Sequence, residues 1–110
     1  MDASEPQTPA EGSQEAHRRA MKAHLSAAKQ HRESAALHRK AAVIQETAAS
    51  DGTGDTAAHT EAATAERAAS LRDHEAADRE SDKASVESQK LARALDDSAP
   101  PIEPAEAEPH

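Results

Sequence analysis

The stretch "AHRRAMKAHLSAAKQHRESAALHRKAA", residues 16–42, places histidine at 17, 24, 31 and 38, seven residues apart each time, with alanines between them. On a helical wheel His17, His24, His31 and His38 fall within about 60° of arc, because 3.6 residues per turn nearly halves seven. Ala20, Ala27, Ala28, Ala35 and Ala42 share that sector, while Arg19, Lys22, Lys29, Glu33 and Lys40 lie on the far side. The imidazoles therefore run along the stripe where a second helix would pack. Small alanines there let two backbones come close.

From about Gln14 to Thr47 the chain has no Gly or Pro and is dominated by strong helix formers. "SDGTGD", residues 50–55, breaks the pattern: Gly52 is suited to cap the first helix, and Asp55 or Thr56 to N-cap the second. From about Ala57 to Leu95 Gly and Pro are again absent. The expected fold is all-α: an antiparallel two-helix hairpin, coiled-coil-like, with an alanine-rich seam. Its helices are expected over about 14–48 and 56–95 with a turn at 49–55. Residues 1–13 and the acidic, proline-rich 96–110 read as disordered tails.

The second helix repeats the period. Glu66, Asp73, Glu80 and Glu87 also stand seven apart, beside Ala62, Ala69 and Ala76. Facing residues of an antiparallel pair have numbers with a constant sum. The pairs His17/Glu87, His24/Glu80, His31/Asp73 and His38/Glu66 all sum to 104, which puts the fold-back point at Gly52. The next rung would pair Gln45 with His59. These eight residues are expected to form a His–carboxylate interaction seam. A histidine in a half-dry seam needs partners for its ring nitrogens, and a facing carboxylate accepts a hydrogen bond and favours the imidazolium.

Composition excludes an ordinary globule. Of 110 residues none is Phe, Trp, Tyr or Cys, and alanine supplies 28 of the 39 hydrophobic ones. Eleven larger apolar side chains cannot carry a monomeric core against the entropy of ordering the chain. The net charge of −8 is uneven: residues 16–46 carry +5, residues 57–95 carry −2, and both ends are acidic. A basic segment followed by an acidic one suits mutual pairing. Without cysteine there is neither a disulfide framework nor a thiolate metal site. No basic-then-apolar leader and no long apolar run are present, so a cytoplasmic protein that does not enter membranes is expected.

Neither a glycine-rich phosphate loop nor a nucleophile–base set is present, and no enzyme is expected. A divalent metal is a weaker alternative through His17, His24, His31, His38 or His59. Successive histidines stand about 10.5 Å apart along a helix, and one rung supplies only two ligands where zinc takes three or four. Arg18, Arg19, Lys22, Lys29, Arg32, Arg39 and Lys40 could attract nucleic acid, but no aromatic residue is available for stacking and the acidic half opposes it, so nucleic acid is not the expected partner. The expected role is a helical interaction or oligomerisation module that associates with itself or with another helical protein.

The H-x-x-A-A-x-x-H cadence in "HLSAAKQHRESAALHRKAA" (24–42) and "GDTAAH" (54–59) resembles that of small, uncharacterised bacterial proteins rich in alanine and histidine. The resemblance spans about half the chain and implies a helical hairpin only. The chain departs from that pattern in having few histidines in its second helix. The composition is also similar to that of late-embryogenesis-abundant (LEA) protectants, which implies a stress protectant as an alternative. Their repeat is eleven residues long, whereas this one is seven.

Overall fold

The computed structural model of the chain describes residues 7–98. It contains two long helices, α1 (Pro9–Ser50) and α2 (Thr56–Ser98), folded against each other as an antiparallel hairpin. At 1.5 Å per residue α1 is about 63 Å long. Among the described residues there is no strand.

α1 begins five residues earlier than the expected boundary at 14, so residues 9–13 are helix and not tail. The cause is local. Thr8 is the N-cap, its hydroxyl accepting from the Glu11 backbone N–H at 3.1 Å while the Glu11 carboxylate accepts from the Thr8 N–H at 2.9 Å. This reciprocal capping box is reinforced by Pro9 in the first turn, where a missing N–H costs nothing. The Thr8 bonds also hold the Glu11 carboxyl below its usual range.

At its other end α1 closes in a Schellman arrangement. The Gly52 N–H donates to the Ala49 carbonyl and the Thr53 N–H to the Ala48 carbonyl. Gly52 has φ +70°, the left-handed conformation this closure needs and glycine adopts without strain. Of the two expected caps for α2, Asp55 serves, its carboxylate accepting from the Ala58 N–H at 3.1 Å. α2 runs to Ser98, three residues past the expected end, so residues 96–98 belong to it. The rest of the two expected tails, 1–6 and 99–110, lies outside the described residues.

The core is a single row of small side chains. Ala28, Ala35 and Ala42 of α1 and Ala63, Ala77 and Ala84 of α2 are buried, with Ser70 the one buried polar residue among those described. Each stands four residues after a histidine of α1, or after His59 or a carboxylate of α2. The alanine row and the His–carboxylate row thus run side by side along the seam.

Candidate functional site: a histidine–carboxylate ladder

Each of the four histidines meets the acidic residue whose number completes 104. His17 Nδ1 lies 2.7 Å from Glu87 Oε2 and His24 Nδ1 lies 2.6 Å from Glu80 Oε2. His31 Nδ1 lies 3.1 Å from Asp73 Oδ1, and His38 Nδ1 lies 2.5 Å from Glu66 Oε2. The fifth rung brings His59 Nδ1 to 2.6 Å from Gln45 Oε1. All five rungs are partly buried.

The chemistry fixes the donor. An ionised carboxylate and an amide oxygen can only accept, so Nδ1 carries the proton in every rung. Neutral histidine already makes a charge-assisted bond this way, and a second proton on Nε2 turns each of the four carboxylate rungs into an ion pair.

The rungs are not equivalent. An aspartate is one methylene shorter than a glutamate, and His31/Asp73 is the longest of the five. Asp73 is engaged elsewhere too: Ser34 donates its hydroxyl to Oδ2 at 2.6 Å, and His38 Nε2 lies 3.7 Å from the same oxygen. Asp73 therefore links two rungs, and His38 has carboxylates on both ring nitrogens. Farther from the turn the second carboxylate oxygens meet lysines instead, Lys83 at 3.6 Å from Glu80 and Lys90 at 3.6 Å from Glu87.

These contacts stabilise the ionised acids. The Asp73 carboxyl is held below its usual range chiefly by the Ser34 hydroxyl, then by His31. Glu80 is held down chiefly by its bond to His24, and Glu87 by its bond to His17.

Several contacts had no counterpart in the sequence reading. Ser70 donates its hydroxyl to the Ala35 backbone carbonyl across the seam at 2.9 Å. Arg32 donates to Ser81 Oγ at 2.8 Å, and Arg67 grips Glu46 through Nε and Nη2 at 2.5 and 2.6 Å. A serine set into an alanine period was the available signal for Ser70. The other pairs join long exposed side chains, which leave no periodic trace.

Helical geometry gives the hairpin two unlike faces. Residues one and four positions after each rung residue lie to one side of the seam, and the Arg32–Ser81 and Arg67–Glu46 contacts strap that side over the buried alanines. Residues one before and three after lie to the other side, which Ser34 joins through Asp73. No strap between long side chains crosses this second face among the described residues.

The weaker metal alternative finds no assembled site: among the described residues no group of three or more His, Asp or Glu is placed to hold an ion. Among the described residues no helix is long and apolar enough to cross a membrane. No family model, curated protein or solved structure matches the chain.

Proposed function

We propose that the chain is a non-enzymatic helical interaction module whose hairpin is tuned by protons through the ladder. The observation that carries this reading is the repetition of one contact, Nδ1 against a carboxylate, at four successive heptads. A core of alanines alone would pack two helices without any histidine. Four imidazoles set against four acids make the strength of that packing depend on pH.

The direction follows from the contacts. A proton added to a ladder histidine meets an ionised acid in the folded hairpin and only water in the unfolded chain. The hairpin therefore tightens. The groups around the histidines are Glu87 and Lys90 at His17, Glu80 and Lys83 at His24, Asp73 and Ser34 at His31, and Glu66 and Asp73 at His38. The two lysines weaken the gain at the outer rungs.

The test is helicity and thermal stability by circular dichroism from about pH 8.5 to about pH 5, spanning histidine titration, in metal-free low-salt buffer. Stability that rises as pH falls, and a shallower rise for His24→Gln/His31→Gln, which keeps only the His17 and His38 rungs, is the expected result. A parent chain whose profile is no steeper than the variant's would rule out proton tuning. A chain without helix across the whole range would rule out a constitutive hairpin and favour the protectant alternative.

A further inference from the structure

The unstrapped face has a composition that the ladder does not explain. Along α1 the positions one before and three after each rung residue, from Ala16 to Ala48, contain no Lys, Arg, Asp or Glu. Every charged residue of α1 lies on the strapped side or on the helix back. Near the turn this flank carries two large apolar side chains, Leu37 and Ile44, left 65% and 67% exposed. Across the same face the matching positions of α2 are alanine as far as Ala69. The first charge on the α2 flank is Arg72, and Arg79, Lys83, Lys90, Arg93 and the single acid Asp97 follow it toward the open end.

One face thus holds knobs on one helix and holes on the other. A two-fold axis parallel to the helices and lying over this face would set α1 of each copy over α2 of the other, with both turns at the same end. Leu37 and Ile44 of one copy would then enter the alanine-lined flank of its twin, and the reverse contact would follow by symmetry. A perpendicular axis would instead oppose knobs to knobs. We propose that the turn-proximal half of this face, centred on Leu37 and Ile44, is where a second copy of the chain packs, forming a four-helix assembly.

Charge limits the contact. From Arg72 onward this flank of each copy carries five cations against one acid, Asp97, and among the described residues only Lys83 and Lys90 of the five are paired within their own helix, so the open ends repel while the turn ends meet. From Ser34 to Ala48 the contact is about 21 Å long and two helices wide, roughly 400 Å² per copy. That is about half of what each partner buries in a stable specific interface, so the dimer is weak and reversible. This inference rests on the reading of the chain as an interaction module and names its partner.

Sedimentation equilibrium of the full chain from about 10 μM to about 1 mM, with helicity followed in parallel, tests it across the range where a weak dimer populates. The expected result is a monomer–dimer equilibrium that strengthens with salt, because salt screens the cations. Leu37→Glu/Ile44→Glu should abolish the dimer at unchanged helicity, since glutamate is a good helix former. Leu71→Glu, at a residue equally bare but off this face, should leave it intact. A fully helical chain that stays monomeric at the highest concentration overturns the dimer and leaves the module reading to a different protein. A chain without helix overturns both. A dimer that persists in Leu37→Glu/Ile44→Glu, or dissociates with added salt, uses another surface or exchanged arms and also overturns the proposal.

Discussion

The hydroxyl of Ser70 on α2 donates a 2.9 Å hydrogen bond straight to the backbone carbonyl of Ala35 on α1. A serine side chain is short, so this bond shows how near the two backbones lie. Only alanine-sized neighbours permit it. Ala35→Leu should therefore overpack the seam and lower stability by roughly 1–3 kcal/mol, read as a drop in melting temperature. Ser70→Ala keeps the size and loses one hydrogen bond, for about 0.5–1.5 kcal/mol. The larger effect belongs to the apolar substitution, the reverse of what burial of grease alone would predict.

The turn gives a second prediction. A side chain at Gly52 would meet nothing within 4 Å, so space is not the constraint there. Its φ of +70° is. Gly52→Ala should cost about 1–2 kcal/mol through the left-handed backbone alone, and Gly52→Asn less, as thermal melts of the two variants would show.

Acid should loosen the hairpin. Asp73, Glu80 and Glu87 have carboxyls held below their ordinary range in the fold, so their stabilisation is complete above the unfolded carboxylate range. It is lost as pH falls through the lowered folded values. A pH titration of helicity should show loss only below about pH 4, where unfolded carboxylates protonate. Asp73→Asn should change both the acid limb and the histidine limb, because Asp73 touches His31 and His38. Glu87→Gln should alter one rung alone.

The start of α1 depends on its cap. Thr8→Ala removes half of the capping box and should cost about 0.5–2 kcal/mol, spent locally. Hydrogen exchange should quicken in the first turn after Pro9 while amides near Ala35 keep their protection.

The sequence made the hairpin and its rungs legible for a particular reason. His17, His24, His31 and His38 fix a phase on one helix, Glu66, Asp73, Glu80 and Glu87 fix it on the other, and Gly52 independently fixes the fold-back point. Three separate signals agree on one register. The first turn of α1 departs from the expected boundary because Pro9 and Gly12 have the composition of a tail, although Thr8 and Glu11 have capping-box spacing. The Asp73 link between rungs depends on a one-methylene difference in length and on Ser34 lying within reach, neither of which periodicity encodes. Ser70 lay hidden for a similar reason: spacing placed it in the seam, but only backbone proximity gives its hydroxyl an acceptor.

A repeat of seven on both helices also means that the ladder cannot identify its own register. Sliding α2 by seven residues would set His24 opposite Glu87, His31 opposite Glu80 and His38 opposite Asp73, keeping three histidine–acid matches of four. The alanine row would be matched as well. What disfavours the slipped pairing is the turn from Asp51 to Asp55: to stretch over the offset it would give up the Gly52 and Thr53 closure of α1 and the Asp55 cap of α2. Cut there, the two helices would be free to step along one another like a zip fastened one tooth out, and a protein built as a single state would become a set of nearly equal ones.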